Sequence, residues 1–252
     1  MSNEELLILP SMQRGEMNPV SMQDSFAALI GYAFSTRDVR LEDGSLVQVH
    51  RYGYHSYDCV PATQGKGMSD IDLLVVNGLN ARLGVKELEN LRDAAERAAV
   101  YGHQAAERGK SFWELDDREL SDAPPAGTVG EQLGQAWRAC TVTPYVDVAR
   151  THKLLHHKWP HLFPLIDRKT RIPLRAARQA GETLWQVILR ELRDNGPCFN
   201  ELEDQFASVA HRRGDVALTR LRIHDILLWL QVNDWLDDAT RAGVVLLRDE
   251  GP

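Results

Sequence analysis

The chain has 252 residues, with 29 Lys or Arg against 36 Asp or Glu, and a net charge of -7. This length suits one large domain or two small ones, and 43% hydrophobic with 26% charged residues is an ordinary globular composition. Acidity on average argues against nonspecific coating of nucleic acid. No window approaches the ~18 apolar residues of a membrane span, and three scattered cysteines (Cys59, Cys140, Cys198) form neither a disulfide framework nor a zinc knuckle.

The N-terminus carries no signal-peptide pattern, so a reduced, cytoplasmic protein without membrane contact is expected. Residues 1–20 lack a sustained period and read as a flexible arm. Asp24 to Phe34 reads as a helix, with Phe26, Leu29, Ile30 and Ala33 on one face. Alternation from Val39 to His50 around Asp43-Gly44 predicts a β-hairpin, expected as the only sheet. Tyr52 to Gly67 reads as a loop. From Ser69 onward the chain is helical almost throughout, and Lys86 to Arg108 is rich in strong helix formers.

Ala123-Pro-Pro-Ala-Gly127 reads as a linker, separating a lobe over 21–122 from a helical lobe over 128–252. In the second lobe Thr128 to Cys140 is helical, and Thr143-Pro144 reads as the start of a helix ending near Trp159. Further helices are expected around 169–179, 183–193, 199–212 and 217–232. The fold class is mainly α, a helical globule with a small N-terminal β-hairpin.

Resolved along the chain, the charge is uneven. Residues 148–178 hold Arg150, Lys153, Lys158, Arg168, Lys169, Arg171, Arg175 and Arg178 against Asp167 alone. That segment carries +7 in 31 residues, which leaves -14 for the rest of the chain, and four of the nine histidines fall within it. Arg150, Lys153 and His157 share one helix face, and Arg168, Lys169 and Arg171 follow on the next element. Two such elements converging make a phosphate-binding surface; the same cations equally suit pairing with acidic runs such as Asp116 to Glu119.

Asp167, the one acid among these cations, fits two roles. It suits activation of water or stabilisation of an oxocarbenium-like sugar in base excision, and it suits capping the helix that follows. Asp70 and Asp72 have the period-two spacing of a nucleotidyltransferase metal strand, but Ser69 with Asp72 reads better as a capped helix start. His152 and His156 lie one helical turn apart, yet Lys153 and Lys158 would repel a dication, so no metal and no cofactor are expected. Trp229, near Leu221, Ile226, Leu230 and Val232, reads as a core residue. Arg222 and Asp225 form either a surface pair or, if buried, a pair that docks the last helix.

Two stretches carry a family resemblance. Thr151 to Arg168 has a Lys-Leu-Leu, basic, Pro, then Pro-x-x-Asp pattern, and Leu221 to Leu230 contains Arg222, Asp225 and Trp229 in an Arg-x-x-Asp-x-x-x-Trp pattern. Over roughly 129–232 the chain resembles an uncharacterised family of actinobacterial proteins. More distantly, the first stretch resembles the helix–hairpin–helix DNA glycosylases, which implies a glycosylase-like helical arrangement and makes Asp167 the catalytic aspartate. Tyr145 and Asp147 stand where that family's hairpin glycines would fall, and Ala149 where its lyase-type lysine would. The resemblance therefore implies at most monofunctional excision.

The expected function is a helical nucleic-acid-binding protein, with DNA as the partner, Asp167 catalytic, and Arg150, Lys153, His157, Arg168, Lys169 and Arg171 on phosphates. Two alternatives stand beside it: a non-enzymatic protein-interaction module, and nucleotidyl transfer at Asp70 and Asp72.

Overall fold

A computed structural model describes residues 6–13, 19–144 and 146–249. The fold is mainly α-helical. Ten α-helices carry it among the described residues: α1 (Met22–Phe34), α2 (Asp70–Val75), α3 (Val85–Ala106), α4 (Val129–Thr141), α5 (Val148–Lys158), α6 (Arg171–Ala176), α7 (Leu184–Asp194), α8 (Gly196–Arg213), α9 (Arg220–Val232) and α10 (Leu236–Asp249). Two small antiparallel pairs accompany them. β1 (Leu6–Leu7) pairs with β2 (Val20–Ser21), and β3 (Thr36–Arg40) pairs with β4 (Leu46–His50). No described helix is long and apolar enough to cross a membrane.

The hairpin forms where alternation predicts it, but its turn is different. Leu41 N–H donates to Ser45 O and Gly44 N–H to Leu41 O, with φ of 84° at Gly44 alone. Asp43-Gly44 thus builds a type I turn closed by a glycine bulge, not a two-residue turn with both central φ positive. Asp43 Oδ1 accepts from Ser45 N and Oγ and holds the turn.

The expected flexible arm is corrected over its described part. Leu7, Leu9 and Met12 are buried, and Ser11 donates from N and from Oγ to Glu191, a carboxylate that His224 also contacts at 2.7 Å. Asn195 closes the attachment, accepting from Ile8 N and donating to Ile8 O. A segment with little periodicity is therefore ordered by partners some 180 residues away, which local pattern cannot reveal. Residues 1–5 and 14–18 lie outside the described residues.

The Pro-Pro stretch also departs from the expected linker. One apolar core runs through both expected lobes, joining Leu91, Ala94 and Ala98 of α3 to Leu133, Ala136 and Cys140 of α4. Residues 123–127 are a turn leading into the Thr128 cap of α4. Thr143-Pro144 does not start α5 either. Thr143 Oγ1 accepts from Arg97 at 2.6 Å, and the cap is Asp147, four residues later, accepting from Arg150 N. The start of α6 is also late and the helix short, because Asp167 to Thr170 forms its own turn first.

α10 is a helix the chain-order reading did not separate. It packs on α1 at backbone contact distance. A Cβ on Gly31 would stand 1.9 Å from Ala239 O, and one on Gly243 would stand 1.8 Å from Ala27 O. Both helices must lack side chains at these two crossings. Gly31→Ala is expected to destabilise the protein by about 2–3 kcal/mol through forced separation of α1 and α10. The urea midpoint checks this, with Gly65→Ala, which meets open space but carries a positive φ, as a backbone-strain comparison.

Candidate nucleic-acid interface

The expected phosphate-binding face of α5 turns inward. Lys153 is 8% exposed and donates to Leu79 O at 2.6 Å, while Arg150 donates to Ala81 O and Arg82 O. Lys158 donates to Thr63 O at 2.6 Å. The carbonyls of Leu79, Ala81 and Arg82 terminate the 3-10 turn Val76–Leu79 and the loop behind it, where Asn80 and Arg82 both have positive φ. Free carbonyls at such an end attract cations. His157 is 7% exposed, and its Nε2 lies 3.4 Å from Asp72 Oδ1. So Arg150, Lys153 and His157 do not line a phosphate surface; the basic face holds the α2 region to α5.

Asp70 and Asp72 sit at the start of α2, on a helix and not on the strand that two-metal phosphoryl transfer requires. Asp72 is the third residue of a capping box with Ser69, and it also accepts from Thr63 N–H and its hydroxyl. Burial works to raise this carboxyl, but the three hydrogen bonds it accepts, from Thr63 Oγ1, Ser69 N and Thr63 N, together with the charge of Lys158, hold it below its usual range. Asp70 pairs with Arg92 at 2.7 Å.

His152 and His156 likewise serve the fold. Their Nδ1–H groups donate to Pro164 O and Phe163 O, each at 2.7 Å, and fasten the Leu162–Ile166 connection under α5. Burial lowers His152 to about 4 and His156 to about 3. Neutral burial has a definite sign in stability. The unfolded chain binds a proton below its pKa of ~6.5 that the folded chain refuses until about 3, so stability is lost as pH falls through this window. Relative to His156→Asn, the protein should lose stability by roughly 1.4 kcal/mol per pH unit below 6.5. Urea unfolding of both at several pH values measures it.

Asp167 is partly exposed at the turn before α6. Its Oδ1 accepts from Lys169 N at 2.7 Å and Thr170 N at 2.8 Å, while Oδ2 has no hydrogen bond among the described residues. Lys169 Nζ donates to Asn233 Oδ1. Arg168, Arg171 and Arg175 have no hydrogen bond or ion pair from their guanidinium groups among the described residues. Arg168 and Arg175 are exposed.

Arg171 and Arg175 face a cleft of about 370 Å³ that α4, α6, the start of α7 and the turn at 119–124 enclose. Arg138 comes in from α4, and Glu119 and Asp122 also line the walls. Its aromatic lining is Trp137 and Trp185, with the His152 ring 6.5 Å from one and 6.2 Å from the other. Trp137 Nε1 is buried without a hydrogen-bond acceptor among the described residues. This donor costs free energy unless a ligand or water meets it. Period and capping signals place Trp137 and Trp185 on their helices but do not show that α4 and α7 face each other, so the cleft could not be read from the chain alone. Tyr145 lies outside the described residues; Asp147 caps α5, and Ala149 lies in that helix's first turn.

Away from the cleft lining, Arg222 and Asp225 take the buried alternative. Arg222 Nε donates to Asp58 Oδ1 at 2.6 Å and Nη2 to Asp58 Oδ2 at 3.0 Å; Nη1 reaches Asp225, and Nη2 reaches Tyr32 OH at 2.7 Å. Tyr57 and Tyr32 rings flank the guanidinium at 5.3 and 5.5 Å. Burial lifts the Asp225 carboxyl to about 7, with Arg222 opposing. Trp229 is partly buried and packs against Tyr32, Tyr52 and Trp235 at the edge of the core. Arg222→Met would strand two buried carboxylates and is expected to cost about 3–5 kcal/mol. Arg222→Lys should not restore this, since an ammonium cannot span three acceptors in a plane; chemical denaturation of both variants decides it.

No curated protein and no solved structure matches the chain. A family model does, over residues 34–232, a span that takes in the cleft, the inward-facing α5 and, of the Arg222 cluster, all but Tyr32. The chain belongs to the family of unknown function DUF6308.

Proposed function

We propose that the protein binds nucleic acid through the cleft between α4, α6 and α7. The observation that carries this reading is the convergence of Arg138, Arg171 and Arg175, all without internal partners among the described residues, on a pocket lined by Trp137, Trp185 and His152. Guanidinium groups suit phosphate, and indole faces suit a base. A volume of about 370 Å³ accommodates one nucleotide rather than a duplex. The ligand is therefore an unpaired or extruded nucleotide, with the exposed Arg168 of the turn before α6 available to the adjoining backbone.

Base excision is the finer form of this proposal. What supports it is Asp167, which follows the cleft-lining Ile166 in the chain and whose Oδ2 has no hydrogen bond among the described residues while Oδ1 caps the turn. A carboxylate fixed by one oxygen and open at the other can orient water or stabilise a positive sugar.

Fluorescence anisotropy with labelled single strands, and with duplexes carrying a mismatched or damaged base, tests the reading across a salt series. Binding at low salt should weaken with a log–log slope of about -2 to -3, matching three phosphate contacts. Arg171→Ala and Arg175→Ala should each reduce that slope by about 1, and Trp185→Ala should cost about 1–3 kcal/mol of binding. Arg150→Ala and Lys153→Ala should lower stability and leave the slope unchanged. Absence of binding at low salt, or indifference to Arg171 and Arg175, overturns the proposal and leaves the protein-interaction reading. For excision, Asp167→Asn should retain the cap and the binding and abolish base release.

A further inference from the structure

Away from the cleft, three side chains from two distant parts of the chain meet beside the hairpin. Residues Tyr54–Asp58 form a π-helical turn, closed by Cys59 N–H donating to Tyr54 O at 3.0 Å. With more than four residues per turn, this geometry brings His55 and Cys59 to one side. Opposite them stands Asp215, just beyond α8. Gly214 ends that helix with a φ of 75°, and Asp215 N–H donates back to Ala210 O, so the acid's backbone is fixed. Tyr54 OH donates to Val216 O at 2.5 Å and ties the two segments together.

The resulting trio is compact. His55 Nδ1 lies 3.8 Å from Asp215 Oδ1, Cys59 Sγ lies 3.9 Å from the same oxygen, and all three potential ligand atoms fall within 4.8 Å of one another. All three residues are partly buried. Ligand atoms around tetrahedral zinc, with bonds of about 2.0–2.3 Å, stand roughly 3.4–3.7 Å apart. The two separations to Asp215 Oδ1 close to that range with shifts of a few tenths of an ångström, and the limit of 4.8 Å closes with about an ångström of side-chain rotation.

We infer that His55, Cys59 and Asp215 form a zinc site, with three protein ligands and a fourth position left for water or an exogenous ligand. Thiolate and imidazole donors select zinc over magnesium or calcium, which take oxygen. His50, at the exposed end of β4, lies tilted against the His55 ring with centroids 3.8 Å apart and borders the open fourth position. The surrounding charges are mixed. Asp58 is engaged by Arg222, and the Arg213 guanidinium lies 4.1 Å from the Phe34 ring centroid, near enough for its charge to be felt at His55. A carboxylate and a thiolate together neutralise the dication, so Arg213 opposes binding without cancelling it. The expectation of no metal rested on cysteine spacing and on the α5 histidines. A ligand set joining residues 55 and 59 to residue 215 has no signature in spacing.

The test uses the full chain, stripped with a chelator and titrated with Co²⁺ and then Zn²⁺. One Co²⁺ per chain should give intense visible ligand-field bands of a tetrahedral centre and a near-ultraviolet thiolate charge-transfer band, and Zn²⁺ should displace it. Cys59→Ser should abolish the charge-transfer band, while Cys198→Ser should retain it. Asp215→Asn and His55→Gln should weaken Zn²⁺ in competition with a chromophoric chelator by about tenfold or more, and circular dichroism checks that each variant is folded. Asp215→Asn nearly preserves shape, so it remains informative if a Cys59 variant unfolds. Weak octahedral spectra, a stoichiometry below one, or an unchanged charge-transfer band in Cys59→Ser overturns the site.

Discussion

The structure depends on one buried cation. Arg222 joins α9 to the Tyr54–Asp58 turn through Asp58, to α1 through Tyr32, and to its own helix through Asp225. A guanidinium suits this position because its planar fork can donate in several directions at once, and it stays charged where a lysine would shed its proton. Buried ion pairs gain little net stability over a well-packed apolar core, because desolvation offsets attraction. Their value here is geometric. Once Arg222 is in place, few arrangements of α1, α9 and the turn at residue 58 leave its donors satisfied, and that same turn presents His55 and Cys59 to Asp215.

A second constraint shapes the centre of the molecule. The basic helix α5 holds its neighbours with its charged face, spending Arg150, Lys153 and Lys158 on carbonyls and two histidines on the Leu162–Ile166 connection. Segment charge alone therefore overstates the cationic surface. What remains outward is concentrated on α6 and the turn before it, where Arg168, Arg171 and Arg175 have no internal partners among the described residues.

Much of the secondary structure was legible in the sequence because it is locally encoded. Ser69, Thr128, Thr183 and Thr219 cap helices through their own side chains. The apolar period of α1 and the alternation of the hairpin are equally local, whereas the sequence leaves both the surface and the buried pairing open for Arg222 and Asp225, and the distant Asp58 and Tyr32 decide it. Long-range pairing was not legible. Ser11 with Glu191, Arg222 with Asp58 and Asp215 with Cys59 each span more than 150 residues of chain. Thr143-Pro144 misleads for a related reason: Arg97 claims the hydroxyl that would otherwise cap, and the helix waits for Asp147. Of the candidate site, the exposed arginines were visible as charge. Trp137 and Trp185 were not, since the cleft exists only where α4 meets α7.

The glycine-mediated contact between α1 and α10 lies at the edges of the family span or beyond them, at residues 22–34 and 236–249. Its effect is topological as much as energetic. By joining two segments so far apart in sequence, it turns everything between them into a single closed loop of some two hundred residues. The loss of freedom in closing such a loop grows only with the logarithm of its length, so one tight crossing can hold it shut. A break in the exposed hairpin turn would then open a ring rather than free an end, and the two pieces would stay attached through the crossing of Gly31 and Gly243.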